Sequence, residues 1–247
     1  MWGTLPTQVR RVAAAAVRPQ PAAVAPGLRD YCAAHSSRAS YDAGSAAGPE
    51  SLGTDGVAGA ELGALLEILV CSTGTRRAVA AAALADPTLR LARALPADGY
   101  LISVPAPAGA TSSAGGTGGA AGPTAPISAE AAARIRAQLD IRPGAPAETI
   151  AALPDRPELD LAFLDTDPSG YQRLYDLLLP RLRPDGLLVV GGVLARGNVL
   201  TVVGGGGARP DVEVLRVFND SLVLDDRVQV VMLPVGDGVS VVRKLSR

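Results

Sequence analysis

The sequence predicts an α/β fold: a doubly wound, mostly parallel sheet closed by an antiparallel C-terminal hairpin. Three observations carry that prediction. "LDLAFLD" (159–165) and "GLLVVGGVL" (186–194) are unbroken apolar runs, as strands covered by helices on both faces require. Between them, "YQRLYDLLLPRL" (171–182) repeats its apolar residues at helical spacing. After the helix-patterned "VEVLRVFNDSLV" (212–223), "RVQVVMLPVGDGVSVVRK" (227–244) reads as two alternating strands joined through residues 234–238. Strands alternating with helices build parallel βα units, and the closing hairpin gives the sheet a mixed edge.

The elements before these follow in chain order. Residues 1–55 are rich in Ala, Pro, Ser and Gly and predict a low-complexity, largely disordered N-terminal segment. Its first 29 residues hold Arg10, Arg11, Arg18 and Arg29 and no acid, around the short apolar stretch "RRVAAAAV". A loose tail and a targeting peptide both fit that composition, but prolines at 19, 21 and 26 follow at once and favour the tail. The folded domain is placed at 56–247. "AELGALLEILVCS" sets Leu62, Leu65, Leu66, Leu69 and Val70 on one helical face and predicts a core position for Cys71. "RRAVAAAA" is a weak strand candidate. "DPTLRLARAL" is a helix with Asp86 as N-cap and Pro87 at its first position. "YLISV" (100–104) reads as a strand. From Gly99 to Ala129 there is not one charged residue, and residues 106–127 predict a flexible Gly/Ala/Ser loop. "SAEAAARIRAQL" resumes as a helix capped by Ser128.

Composition excludes more than it identifies. The 247 residues include 44 alanines and 28 glycines, and 22 of the 23 basic residues are arginine, a bias of the kind GC-rich coding sequences impose. A formal net charge of -1 argues against nucleic-acid binding, which calls for a basic excess. Cys32 and Cys71 are too few for a disulfide scaffold or a zinc cluster. No window of 18 apolar residues exists, so no membrane span is expected and a soluble, cytoplasmic protein is.

The motifs taken together resemble a known family. "LDLAFLDTDPSGY" is similar to "FDLVFIDADKxxY", "LLPRLRPDGLLVVGGVLARG" to "LPLLRPGGLLVVDNVLWxG", and the C-terminal stretch from Val217 to Lys244 follows the same pattern almost position for position. These are signatures of the class I S-adenosylmethionine-dependent O-methyltransferases of the caffeoyl-CoA type, including their actinobacterial members. The resemblance covers roughly residues 57–247. It implies a seven-stranded Rossmann-like sheet, methyl transfer from S-adenosylmethionine to a small-molecule hydroxyl, a divalent cation and a dimer.

Carried over residue by residue, the family's chemistry is incomplete. Its glycine loop E-x-G-x-G-x-G falls on "VAAAALADP" (79–87), and no glycine occurs between Gly74 and Gly99. Glycines there permit positive φ and close approach of backbone to cofactor. The cofactor positions are therefore the eroded Ala80, Ala82 and Thr88, with Asp165 beyond them. Asp86, as helix cap, would answer with its own carboxylate the positive helix end that greets the cofactor. The ribose-binding acid falls on or near Pro105, and the aspartate near the adenine on Ala145. Of three metal ligands, only Asp165 persists, as a vestigial one. The other two are Gly191 and Gly192, so a divalent metal is not expected. The motif lysine is Pro168 and the tryptophan is Ala195. No catalytic residue is assigned.

Ordinary readings cover the remaining candidates. Asp165 and Asp167 can cap the following helix, and His35, the single histidine, and Cys32 lie in the N-terminal segment. The glycine run 204–207 lacks the GK[ST] of a phosphate loop, and Asn219-Asp220-Ser221 is a sequon inside a helix. The expectation is an O-methyltransferase by fold and descent whose cofactor binding is lost or strongly weakened. The alternative is a non-catalytic relative serving as structural or regulatory partner, as a homodimer or with an active paralogue. A binding module for another small ligand in the relict cleft is a third reading.

Overall fold

The computed structural model describes Tyr31 and residues 55–83, 86–105, 129–200 and 210–246. The expectations for the remaining N-terminal segment, the 106–127 loop, His35, Cys32, Ser128, residues 204–207 and the Asp86 side chain lie outside them. The elements are α1 (Asp55–Thr73), β1 (Arg77–Ala82), α2 (Asp86–Ala94), β2 (Tyr100–Val104), α3 (Ala129–Gln138), β3 (Leu139–Ile141), α4 (Pro146–Ala151), β4 (Leu159–Asp165), α5 (Tyr171–Arg181), β5 (Leu182–Gly191), α6 (Pro210–Leu224), β6 (Val228–Leu233) and β7 (Val239–Lys244). Among these residues the seven strands form one sheet in the order β3-β2-β1-β4-β5-β7-β6. The first five strands in that order run parallel, and β7 pairs antiparallel with both β5 and β6.

The sheet is buried on both faces, which is why β4 and β5 read as continuous apolar runs. On one face Leu62, Leu66 and Val70 of α1, Leu91 of α2 and Ile135 of α3 pack over Ala78, Ala80, Ala82, Leu161 and Phe163. On the other, Ile150 of α4, Leu174, Tyr175 and Leu178 of α5, and Leu215 and Phe218 of α6 cover Val79, Ala81, Ile102, Val104, Ala162 and Leu164. Phe218 sits edge-on to Tyr171 and Tyr175, with ring centroids 5.5 and 6.3 Å apart.

Several expectations are sharpened or corrected. The alanine-rich β1 is a central strand, all buried after Arg77. Helix α1 ends where Gly74 turns left-handed (φ +64) and Thr75 N–H returns to the Val70 carbonyl at 3.1 Å, a Schellman closure. Cys71 is exposed, not core: α1 buries residues four apart at 62, 66 and 70, and position 71 falls about 100° round the helix from Val70. The residues alone predict neither β3 nor α4, and the resemblance implies β3 only through its seven strands. Strand β5 begins earlier, at Leu182, and stops at Gly191, because Gly192 turns to φ +68.

Candidate functional site

In an open α/β sheet, ligands bind beyond the carboxyl ends of the strands where the strand order reverses. Here that point lies between β1 and β4, whose last residues, Ala82 and Asp165, stand opposite one another in register. The sequence-predicted positions converge on this edge. Ala80 and Ala82 are buried, their methyls facing α1 and α2 within the core. Thr88, in the first turn of α2, is also buried, and its hydroxyl donates to the Ala83 carbonyl at 2.8 Å. The β1–α2 connection is thus tied by the protein's own side chain.

Asp165 is the polar group at the centre of this edge. Its Oδ1 is buried and has no hydrogen-bond partner among the described residues. Burial, followed by the negative charge of Asp237, pushes its pKa up to about 7. The expected cap role therefore falls to its neighbour: Asp167 Oδ1 accepts from Ser169 N–H at 2.9 Å at the start of a single 3-10 turn, Pro168–Gly170. Position 191 lies directly against Asp165. A Cβ there would stand 3.3 Å from the Asp165 Cγ and 3.4 Å from both its Oδ1 and the Leu62 Cδ2. A side chain at 191 would press on the aspartate and on a leucine from α1.

The segment after β5 completes the edge. Tyr171 donates its hydroxyl to the Gly191 carbonyl at 2.9 Å, and Asn219, fully buried, donates to the Val193 carbonyl at 3.0 Å and to the Tyr31 hydroxyl at 3.0 Å. Asn219 is a core residue, so the sequon is closed to a glycan. Ala195 and Arg196 adopt positive φ, 47° and 54°, ahead of Gly197 at 81°. A left-handed conformation costs a non-glycine residue about 1–2 kcal/mol. The Arg196 amide donates to the carboxylate of Asp237, on the β6–β7 turn. Asp237 escaped the sequence reading because "GDG" reads as turn chemistry. Only the antiparallel pairing of β5 with β7 carries it to this edge.

At the carboxyl end of β1 this chain has alanine methyls packed against α1 and α2, and a threonine hydroxyl bonded to the Ala83 carbonyl. A divalent cation needs several oxygens, whereas positions 191 and 192 contribute no side chain. Among the described residues no group of three His, Cys, Asp or Glu could hold a metal.

A seven-stranded sheet in this order, with its site at the β1/β4 edge, is the Rossmann-like fold of the class I methyltransferases. The profile of the O-methyltransferase family matches residues 55–245, and the chain belongs to that family. It is 31% identical over 121 residues to the Dictyostelium discoideum protein named "Probable caffeoyl-CoA O-methyltransferase 1", covering 48% of this chain and 51% of that one. It is 36% identical over 90 residues to caffeoyl-CoA O-methyltransferase 2 of Zea mays, covering 35% and 34%. The chain thus spans about half the length, or less, of the curated relatives it matches. Among solved structures it is similar to an O-methyltransferase from Streptomyces achromogenes involved in tomaymycin synthesis, in complex with SAM (TM-score 0.57, 20% identity, 80% of this chain and 91% of that one). An O-methyltransferase from Bacillus cereus in complex with SAH gives TM-score 0.57 at 20% identity, covering 74% and 80%. These structural likenesses establish the fold.

Proposed function

We propose that this chain keeps the fold of the S-adenosylmethionine-dependent O-methyltransferases while its own binding of the cofactor is lost or strongly weakened. One observation carries the reading. The connection that should cradle the cofactor is tied at its start by the protein itself, through the Thr88 hydroxyl on the Ala83 carbonyl, and the β1 residues leading into it, Ala80 and Ala82, spend their methyls on the core. Two others support it: the Asp165 carboxyl is desolvated by burial, and glycine stands at both positions where the family's remaining metal ligands fall. When bound, the cofactor supplies the methyl group that family members pass to an acceptor hydroxyl.

A thermal-shift titration tests the reading. A ligand at 100 times its dissociation constant stabilises a protein by about 2.7 kcal/mol, and each kcal/mol moves the melting point of a chain this size by about 2–4 °C. Millimolar S-adenosylmethionine is expected to leave the transition in place. A saturable rise of several degrees overturns the proposal.

A second reading, the non-catalytic partner, is favoured by the outer face of α6. There Val217 and Leu224 stand 60% and 83% exposed, a surface that suits a second copy of this chain or an active paralogue.

A further inference from the structure

The residues after β5 hold a conformation that their own side chains oppose. Ala195 and Arg196 are both left-handed, and such outliers persist only where the surroundings over-determine them. Those surroundings are clear. Leu194 N–H donates to the Asp237 carbonyl at 3.0 Å, and Val193 N–H to the Gly238 carbonyl at 3.3 Å. Asn198 Nδ2 donates to the Ala195 carbonyl at 2.6 Å, and Arg216 Nε to the Val199 carbonyl at 2.8 Å. Asp237 does more than the rest, because its carboxylate accepts from the amide of Arg196, one of the strained residues. Its backbone and its side chain thus hold two successive parts of the same turn. This turn sits at the carboxyl edge of β5, beside Gly191 and Asp165.

We propose that Asp237 is a positioning residue: a latch that holds the 194–197 turn in its left-handed form at the carboxyl end of β5, so that releasing the latch lets the turn relax. The strain favours relaxation once the carboxylate lets go, and the catch lies on the β6–β7 turn. The latch does not depend on whether the cofactor binds, and its test contains no cofactor, so the two proposals fail separately.

The test is amide hydrogen exchange, followed by NMR, on the full chain. In Asp237→Ala, exchange at Arg196 and Gly197 is expected to quicken at least tenfold, while Val189 and Val190 inside β5 stay within twofold of the parent. Asp237→Asn keeps an acceptor oxygen and is expected to hold Arg196 within threefold of the parent, the rescue a mere space-filling role would not give. Arg196→Gly relieves the strain and is expected to slow exchange at Gly197 at least twofold. Unchanged exchange at Arg196 in Asp237→Ala overturns the latch, as does equal acceleration along all of β5. Should Asp237→Ala fail to fold, Arg196→Gly decides: exchange at Gly197 that is unchanged or faster than the parent contradicts the proposal.

Discussion

Asp165 is where the family's chemistry and this chain's physics meet. Burial and the charge of Asp237 raise its pKa to about 7, against an ordinary value of 3.8. The raised folded-state pKa fixes the sign of its linkage to stability. Its contribution is fully present below about pH 4 and is lost as pH rises through 7, because the folded protein holds the proton more tightly than the unfolded chain. Asp165→Asn, isosteric and uncharged, is therefore expected to match the parent at pH 4 and to exceed its stability by about 2–4 kcal/mol at pH 8. Urea unfolding at the two pH values reads this directly. A variant less stable than the parent at pH 8 would mean that the carboxylate is held ionised by a partner or a cation. The resemblance of "FLDTD" to the family's "FIDAD" marks Asp165. It does not show the burial of the carboxyl or the charge of Asp237 beside it, since both come from elements far away in the chain.

At the scale of elements, legibility followed burial. Strands β4 and β5 are covered on both faces and announce themselves as apolar runs, and the hairpin alternates around a glycine-bearing turn. Strand β1 gave a weak signal because alanine has little strand preference, yet it lies at the centre of the sheet, where small side chains let α1 and α2 approach closely. Strand β3 gave none: it is three residues long at the sheet edge, with Ile141 47% exposed. The hairpin turn owes its form to Gly238, at φ +86, where an added Cβ would lie 2.3 Å from the Leu194 Cγ. Gly238→Ala is expected to cost about 2–4 kcal/mol from strain and overpacking together. Gly74 supplies the control, with φ +64 and nothing within 4 Å of an added Cβ. Gly74→Ala should cost only the backbone term, about 1–2 kcal/mol. Denaturation midpoints compare the two, and equal costs would show that Leu194 yields freely.

Across the whole molecule, the family's fold and its site rest on different atoms, so the one can be kept while, as we propose, the other is lost. The sheet is held by apolar side chains on two faces, and the family match runs across it, over 55–245. A cofactor site asks for the opposite: bare backbone, unspent donors and hydrated acids at the edge. The alanine excess, unremarkable as composition, places methyl groups at 80 and 82, and Thr88 spends its hydroxyl on Ala83. On our proposal this turn does not receive S-adenosylmethionine, and a titration of the methyl-labelled chain tests that directly. The NMR signals of the Ala80, Ala82 and Thr88 methyls would be followed as the cofactor is raised to millimolar concentration. They are expected to stay where they are. A saturable shift at those three methyls, with a micromolar dissociation constant, would contradict the account.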